Sequence, residues 1–408
     1  MTAHGYLESL APFGMKLGLE RITALLEHLD DPQERLDAIH VVGTNGKSST
    51  VRFAAAALTA SGLRTGAYLS PHVTGWDERV QIDGRPIGPG AFALALDRVQ
   101  DAAREVEREH GEGPTQFEAL TAVALLVLAE AGVETCVVEA GLGGRHDATR
   151  VMRARVVGLT NVGLDHQRVL GETREEILAE KVAVLEPGAV LCVGVVDDEL
   201  YARAASLAGA AGAGCERIAA GAGDALPLPG AYLRDNAAHA LRLSELLLAP
   251  GTLKRTRAVA SLAAAIPPGR LEVIAGEPLV LLDGAHNAEG AAALVRELDG
   301  ALGERRPRVG VLALQEDKPL AAILAAFAPV LDALVATTSA HTGHSLALPA
   351  EELAAAALAA GFADVAAEPD PLAALTAARA RAGPAGAVVV AGSLYLLERL
   401  RTAALEAR

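Results

Sequence analysis

Ile39-His40-Val41-Val42 runs directly into Gly43-Thr44-Asn45-Gly46-Lys47-Ser48-Ser49-Thr50, and residues 51–61 continue with the composition of a helix. This is the pattern of a buried strand, a glycine loop and a helix. Backbone amides at a helix start have no intrahelical partner, so they point at bound phosphate, and Lys47 adds a positive charge. The stretch therefore predicts an α/β fold with a nucleotide site, and ATP is the natural ligand.

The loop is a shortened form of the general eight-residue phosphate loop, because Val41 stands where the first glycine of that pattern would be. The alternative interpretation is a Gly-Asn-Gly turn at a helix start, with Ser and Thr capping the first turn. The strand before the loop and the helix after it favour the phosphate site.

Apolar runs that alternate with helical patterns extend this architecture along the chain. Such alternation predicts parallel sheets. A Pro-Pro-Gly segment at 267–269 interrupts any helix arriving through 259–266, so we predict two domains, 1–267 and 268–408. The alanine-rich stretches 204–223 and 350–382 are expected to be surface helices and loops. The predicted strands lie in 38–42, 134–140, 154–160 and 189–195, and then in 278–287, 307–314, 333–339 and 387–393.

Composition excludes several classes of protein. The net charge of -15 and the 3% aromatic content disfavour a nucleic-acid partner. No apolar run reaches the roughly 20 residues that a membrane helix needs, and the first residues lack a secretory signal pattern. Three cysteines without a CxxC pair indicate neither a disulfide framework nor a thiolate metal site. We therefore expect a cytoplasmic protein with no membrane partner. Separately, we expect a monomer.

A series of motifs along nearly the whole chain carries a family resemblance. Its members are LGLERI (17–22), GTNGKSS (43–49), YLSPH (68–72), ERV (78–80), TQFE (115–118), EAGLGGR (139–145), DAT (147–149), LDH (164–166), EK (180–181), PGR (268–270), DGAHN (283–287) and AGS (391–393). The series resembles the folylpolyglutamate synthase/dihydrofolate synthase family of the Mur ligase superfamily. The resemblance implies an N-terminal ATPase domain of the Mur ligase type and a smaller, Rossmann-like C-terminal domain.

The same resemblance implies the reaction. ATP would phosphorylate a carboxylate of dihydropteroate or of a reduced folate (poly)glutamate, and the amine of L-glutamate would then attack the acyl phosphate. An acyl phosphate is needed because the oxygen of a carboxylate is a poor leaving group. The TQFE and HDA regions resemble bacterial enzymes with a dihydropteroate site, so we expect both activities in one chain.

The resemblance assigns the nucleotide site to both domains. The usual form of the loop is GTNGKGS or GTNGKGT, so Ser48 replaces a glycine, and Ser48 and Ser49 both remain candidates for the hydroxyl nearest the metal and phosphates. Arg270 could stabilise phosphoryl transfer only after the domains close, which predicts a reaction cleft between them. A domain-closing salt bridge is the alternative for Arg270. The implied ATP contacts are Gly43, Thr44, Asn45, Gly46, Lys47, Ser48, Ser49, Asn236, Arg270 and Asp283, with catalytic roles for Lys47, Arg270 and His286.

His286 would orient the acyl phosphate or the amine. The alternative is that His286 has only a structural role, in a turn that ends a strand and caps a helix.

A magnesium site is predicted from Glu139, a carboxylate at the carboxyl end of a buried strand, where α/β proteins bind ligands. The resemblance adds Ser70 and His166 as ligands. It also implies a carbamylated Lys181 that holds a second Mg²⁺, and a monovalent cation such as K⁺ is a further candidate. Each residue also has a structural alternative. These are a helix-capping or salt-bridging carboxylate for Glu139, a turn hydroxyl for Ser70, a hydrogen-bonded loop residue for His166 and a solvated helix residue for Lys181.

The resemblance also implies a pterin site. Phe117 could stack on the pterin or pack in the core. Two residues depart from the family pattern: His146 replaces a more usual apolar residue, and Arg150 replaces an asparagine. The implied pterin and folate contacts are Ser9, Leu10, Ala11, Pro12, Thr115, Gln116, Phe117, Glu118, His146, Asp147 and Ala148.

Two other functions compete with this interpretation. A cell-wall Mur ligase shares the chemistry but usually carries an extra N-terminal domain, and the loop here starts at Gly43. A noncatalytic nucleotide-sensing protein would keep the loop without forming an amide, and substrate-dependent ADP production would exclude it.

Overall fold

The computed structural model describes residues 3–10, 18–73, 75–219, 221–339 and 346–406. The chain forms two compact units, Met1–Ile266 and Pro267–Arg408, called here the N-terminal and C-terminal units. Within the described ranges, none of the helices is long and apolar enough to cross a membrane.

The N-terminal unit contains an eight-stranded sheet in the order β4-β3-β2-β5-β1-β6-β7-β8. Strands β2, β5, β1, β6, β7 and β8 run parallel to one another, while β3 and β4 are antiparallel additions at one edge. The central strands are rich in β-branched residues and fully buried, as expected for a sheet covered on both faces. The strands are β1 (Ala38–Val42), β2 (Thr65–Tyr68), β3 (Val80–Ile82), β4 (Arg85–Pro86), β5 (Thr135–Glu139), β6 (Val156–Leu159), β7 (Val190–Val193) and β8 (Gly214–Arg217).

Helices connect these strands and bury their apolar faces in two clusters. One cluster joins α2, α4 and α5 to strands including β1, β2 and β5, and the other joins α7 and α8 to β6 and β7. The helices are α1 (Ala3–Ser9), α2 (Glu20–Glu27), α3 (Lys47–Ala60), α4 (Pro89–His110), α5 (Gln116–Glu130), α6 (Gln167–Leu170), α7 (Arg174–Val182), α8 (Asp198–Ala210), α9 (Ala231–Leu247) and α10 (Arg255–Ser261). Short 3₁₀ turns occupy Pro32–Arg35, Trp76–Arg79, Ala148–Met152 and Ala263–Ala265.

The C-terminal unit has its own six-stranded sheet, in the order β13-β12-β11-β14-β10-β9, in which only β9 is antiparallel to its neighbour. The strands are β9 (Glu272–Ile274), β10 (Leu279–Leu282), β11 (Arg308–Leu312), β12 (Ala333–Ala336), β13 (Val365–Ala367) and β14 (Ala387–Ala391). The helices are α11 (Ala288–Leu302), α12 (Leu320–Phe327), α13 (Ala350–Ala359), α14 (Pro371–Ala382) and α15 (Leu394–Glu406).

The predicted α/β class and all eight predicted strands are confirmed, as β1, β5, β6, β7, β10, β11, β12 and β14. Both sheets are mixed rather than wholly parallel. The interpretation of the alanine-rich stretches as helices and loops alone was wrong, because each contains a short edge strand, β8 and β13. The helix expected through 259–266 ends earlier, at Ser261, and a 3₁₀ turn fills the residues before Pro267.

Candidate active site

The carboxyl ends of four neighbouring strands meet at one edge of the N-terminal sheet. In the order β2-β5-β1-β6, these ends lead to Ser70, to Glu139, to the loop 43–46 and to Thr160. The strands are parallel and adjacent, with Val41 of β1 in register with Glu139 of β5. Ligands of open α/β sheets bind at such an edge. This edge therefore brings the phosphate loop together with two of the predicted metal residues, Ser70 and Glu139.

The loop 43–46 is held in place from the β6 side. The side chain of Asn161 accepts a hydrogen bond from the backbone amide of Asn45 (2.8 Å), and the hydroxyl of Thr160 donates to the Asn45 carbonyl (2.7 Å). The Thr44 amide donates to the Asn161 carbonyl (3.1 Å). Sequence reasoning missed Thr160 and Asn161, and the available signal was a Thr-Asn pair directly after a buried strand.

Gly46 joins the loop to helix α3 with a left-handed backbone (φ 83°). A Cβ atom at this position would collide with the side-chain amide of Asn236, which projects from α9. The absence of a side chain at Gly46 therefore allows Asn236 to lie against the loop. This places the predicted nucleotide contact Asn236 beside the predicted phosphate loop.

Two lysines converge on a single carbonyl oxygen in the loop. Lys47 Nζ donates to the carbonyls of Gly43 (3.1 Å) and Thr44 (3.2 Å), and Lys181 Nζ donates to the Gly43 carbonyl (2.9 Å). Lys181 is buried, so the solvated position considered from sequence is wrong. Burial, helped by the charge of Lys47, lowers the pKa of Lys181 to about 7. Burial therefore favours the neutral amine of Lys181 more than it is favoured in an exposed lysine.

Glu139 is a buried carboxylate between the loop and strand β2. Its Oε1 accepts a hydrogen bond from Ser48 Oγ (2.9 Å), and its Oε2 accepts one from the backbone amide of Ser70 (3.0 Å). Carboxylate and hydroxyl oxygens are the hard ligands that Mg²⁺ prefers. Within the described ranges, no group of three or more His, Cys, Asp or Glu side chains could hold a metal. The donors present suit Mg²⁺, which usually takes one or two carboxylates and completes its shell with water and substrate phosphate.

His166 has a left-handed backbone (φ 51°) at the start of α6. Its Nε2 lies 3.9 Å from a carboxylate oxygen of Asp165, and its side chain is partly exposed. The imidazole therefore lies at the surface of this unit, beside Asp165.

The TQFE segment forms the start of α5, and its polar groups stabilise the fold. Thr115 and Glu118 make a reciprocal capping box, and Glu118 also pairs with Arg21 Nε (3.2 Å). Gln116 donates to the carbonyl of Leu7 (2.8 Å). These contacts give Thr115, Gln116 and Glu118 structural roles that sequence reasoning did not assign.

Phe117 packs against the hydrophobic core, which is one of the two roles considered for it, and stacking on the pterin stays a prediction. Its ring stacks near that of Tyr68, with centroids 6.2 Å apart, and it packs against the hydrophobic core while remaining partly buried. It also lies over Gly141, where any Cβ atom would overlap the ring. The ring thus bridges the core and the glycine-rich turn after β5.

Asp147 is a buried acceptor that ties the turn after β5 together. It accepts hydrogen bonds from the amides of Leu142 (2.7 Å) and Thr149 (3.0 Å) and from the Thr149 hydroxyl. Burial raises the pKa of Asp147, and these hydrogen bonds oppose the shift. His40 on β1 contacts the same hydroxyl (Nε2 to Oγ1, 2.7 Å). The predicted pterin segment is thereby linked to the strand that precedes the phosphate loop.

The remaining predicted pterin residues differ in their exposure and in their contacts. His146 is exposed, whereas Ala148 is buried. Ser9 Oγ donates to the carbonyl of Tyr6 (2.7 Å). Leu10 packs against the hydrophobic cluster that contains α2, α4 and α5. Ala11 and Pro12 lie outside the described residues.

In the C-terminal unit, Asp283 follows β10 and is buried. It accepts hydrogen bonds from the amides of Leu271 and Ala285, each 2.8 Å. His286 Nδ1 lies 2.8 Å from the Gly284 carbonyl, and because a carbonyl only accepts, this nitrogen carries the proton. Asn287 caps α11 through the Gly290 amide (2.9 Å). The DGAHN segment is therefore a strand-ending turn with a helix cap, as one sequence interpretation held.

Arg270 lies in the turn before β9, and its Nη1 donates to the carbonyl of Gly269 (3.2 Å). The neighbouring Glu272 accepts from the Gly269 amide and makes a bidentate pair with Arg401. The PGR turn is therefore fixed to α15.

Comparison with known proteins agrees with this geometry. Residues 269–394 match the family model described as "Mur ligase, glutamate ligase domain". The dihydrofolate synthase/folylpolyglutamate synthase of Mycobacterium tuberculosis is 34% identical over 379 residues, which cover 83% of this chain and 77% of that protein.

Solved structures agree as well. M. tuberculosis folylpolyglutamate synthase complexed with ADP has a TM-score of 0.89 at 31% identity, covering 98% of this chain and 97% of that chain. A bifunctional folylpolyglutamate synthase/dihydrofolate synthase with Mn, AMPPNP and L-glutamate bound has a TM-score of 0.85 at 28% identity, covering 99% and 98%.

The two α/β units, the phosphate loop and the glutamate ligase match together define an ATP-dependent ligase of the Mur ligase type. The sequence identity and coverage of its relatives place the chain in one family within this class. The chain belongs to the folylpolyglutamate synthase/dihydrofolate synthase family.

Proposed function

We propose that this chain uses ATP to join L-glutamate to dihydropteroate and to reduced folate (poly)glutamates, so that one active site serves both reactions. The observation that carries the proposal is the meeting of the loop 43–46, Glu139 and Lys181 at one sheet edge. At this edge the loop amides would bind phosphate and Glu139 would bind a metal ion, with the positive charge of Lys47 close by. The family's reaction needs these three components.

The reaction converts a poor leaving group into a good one. Transfer of the γ-phosphoryl group of ATP to the acceptor carboxylate forms an acyl phosphate and ADP. The neutral amine of L-glutamate then attacks the acyl carbon, the amide bond forms, and phosphate leaves. Lys47 and the backbone amides of the loop bind and orient the phosphates, and charge stabilisation of this type is the largest contribution to phosphoryl transfer.

For the nucleotide, we assign contacts to the loop residues Gly43–Ser49 and to Asn236 in the N-terminal unit. Arg270 and Asp283 of the C-terminal unit complete the proposed set, with His286 orienting the acyl phosphate or the amine. Gly46 supports the role of Asn236, because its missing side chain leaves room for that amide against the loop.

A divalent cation would be held by Glu139, Ser70 and His166, and when bound it would neutralise charge on the transferred phosphoryl group. The fit is supported by the buried Glu139 carboxylate and by the Ser48 hydroxyl beside it, which are both hard oxygen groups. We assign Mg²⁺ as the physiological ion. We also propose that the enzyme binds a second Mg²⁺ and a monovalent cation such as K⁺.

Lys181 is proposed to be carbamylated and to hold the second ion. Carbon dioxide reacts with a neutral amine, and the burial of Lys181 favours that form. We predict that Lys181→Met abolishes ligase activity, and that bicarbonate raises the activity of the wild type only. Crystallographic density for an unmodified Lys181 in the active enzyme would contradict this assignment.

For the pterin, we assign Phe117 as the stacking face and Asp147 as the polar anchor. Phe117 is supported by its partly buried position over Gly141, and Asp147 by its rigid hydrogen bonding. Around them, the proposed acceptor site contains Ser9, Leu10, Ala11, Pro12, Thr115, Gln116, Glu118, His146 and Ala148. We also assign a cytoplasmic location and a monomeric state, with no nucleic acid or membrane partner.

The direct test measures ADP formation with ATP, Mg²⁺ and L-glutamate, comparing dihydropteroate, a reduced folate monoglutamate and no acceptor. Mass spectrometry identifies the products. We expect a glutamylated product from each acceptor. Activity on only one acceptor would contradict the dual function, and ADP release that is independent of both acceptors would contradict the assignment to folate substrates.

A further inference from the structure

The two serines that follow Lys47 have different environments, although sequence alone does not distinguish them. Ser48 is partly exposed, and its Oγ donates to Glu139 Oε1 at 2.9 Å. Ser49 is buried, and its Oγ has no hydrogen-bond partner among the described residues. Only the hydroxyl of Ser48 therefore reaches the carboxylate of the predicted metal site.

The position of Ser48 follows from the local fold. Helix α3 begins at Lys47, directly after the left-handed turn at Gly46, so Ser48 lies in its first turn. Strand β1, which leads into the loop, pairs in parallel with β5, which ends at Glu139. The chain thus leaves the sheet beside Glu139 and returns with the Ser48 hydroxyl over that carboxylate.

The observed oxygen separation fits a shared cation. Mg²⁺ binds oxygens at 2.0–2.1 Å in octahedral geometry, so neighbouring ligand oxygens are about 2.9 Å apart. Ser48 Oγ and Glu139 Oε1 have this separation. A serine hydroxyl has two lone pairs, and donating its proton leaves both of them available to a cation.

We propose that Ser48 Oγ is a direct ligand of the divalent cation, next to Glu139, and that Ser49 is not. The usual form of this loop in the family has glycine at position 48, which supplies no side-chain oxygen. Ser48 therefore adds one hard ligand and tightens the cation site of this chain. The inference rests on the proposed ATP–Mg²⁺ function of the same site.

The first test is the Mg²⁺ dependence of ATP binding, measured by isothermal titration calorimetry. We expect Ser48→Ala to raise the Mg²⁺ concentration for half-maximal ATP binding about tenfold. In EDTA, where no cation is bound, the difference in ATP affinity between Ser48→Ala and the wild type should be much smaller than it is with Mg²⁺. Ser48→Thr should behave like the wild type. An unchanged Mg²⁺ dependence in Ser48→Ala would overturn the proposal.

Thr59→Val provides a matched control. It removes a hydroxyl from the same helix, and Thr59 Oγ1 also has no hydrogen-bond partner among the described residues. Its Mg²⁺ dependence should equal that of the wild type. Circular dichroism of each variant establishes that the protein is folded.

A thiol at the same position separates direct ligation from a hydrogen bond to Glu139. Thiolate is a soft ligand that disfavours Mg²⁺ and favours softer ions such as Cd²⁺. Relative to the wild type, Ser48→Cys should therefore bind ATP more weakly with Mg²⁺ and regain affinity with Cd²⁺. The same loss with both ions would overturn direct ligation. Failure of the wild type to bind ATP with Mg²⁺ would instead contradict the proposed function itself.

Discussion

Two histidines inside the N-terminal unit are buried and neutral. His239 on α9 lies 3.1 Å from the Cys192 carbonyl, and His40 on β1 contacts Thr149. Burial lowers the pKa of each histidine to about 4, from an ordinary value near 6.5. Between these two pH values the unfolded chain binds protons that the folded chain does not. The free energy of unfolding therefore falls as the pH drops from 6.5 towards 4.

We predict that His239→Gln makes the pH dependence of stability shallower between pH 6.5 and 4. Because the shift is large, one such histidine accounts for up to roughly 3 kcal/mol at the acid end. Urea unfolding at several pH values measures the slope. His28→Gln is the control, because His28 is partly exposed and pairs with Glu109 near the surface. Equal slopes for the wild type and His239→Gln would show that the buried imidazole does not set this dependence.

At the scale of elements, the TQFE motif (115–118) stabilises the start of helix α5, in addition to any role in binding a ligand. The helix is buried along most of its length, including Glu118, so its first amides cannot rely on water. Thr115 and Glu118 satisfy them, and Arg21 balances the carboxylate. Residues 115–118, which the resemblance assigns to substrate binding, therefore also cap a helix. Variants of these residues test both substrate binding and helix stability.

We predict that Thr115→Ala lowers the free energy of unfolding by about 1 kcal/mol, the usual cost of losing a helix cap. Thr115→Ser keeps the capping oxygen and should retain most of the stability. Chemical denaturation of both variants makes the comparison. A dihydropteroate KM that rises in Thr115→Ala and stays normal in Thr115→Ser would add a substrate contact to the cap.

The long, apolar elements were predictable because periodicity and β-branched composition report burial directly. The short strands β2, β3, β4, β8, β9 and β13 were missed, since runs of two to four residues carry little periodic signal. In the site, the loop and Glu139 followed from their strands. The hydrogen bond between Ser48 and Glu139, which are distant in sequence, required the order in which β1 and β5 pair.

At the scale of the whole molecule, each unit has its own sheet and core, and the phosphate loop belongs to the N-terminal unit alone. A ligand that binds only the folded state stabilises the unit that holds it. Nucleotide binding at this loop should therefore be visible in the thermal unfolding of the N-terminal unit.

We predict that ATP with Mg²⁺, at about 100 times its Kd, stabilises the N-terminal unit by about 2.7 kcal/mol. Differential scanning calorimetry should show a higher Tm for the wild type and no increase for Lys47→Met. Lys254→Met is the matched control, because Lys254 is an exposed lysine of the same unit. A Tm increase that persists in Lys47→Met would place the nucleotide elsewhere.

The two edges of the N-terminal sheet also bear on how the protein behaves when it is concentrated. At one edge, β4 is two residues long and ends in Pro86, which has no amide hydrogen to offer another strand. At the other edge, Glu216 and Arg217 of β8 are engaged in salt bridges with Arg242 and Asp198. Short length, proline and charge are the devices by which natural sheets resist adding a foreign strand. This unit therefore carries built-in protection against amyloid-like aggregation at both ends of its sheet.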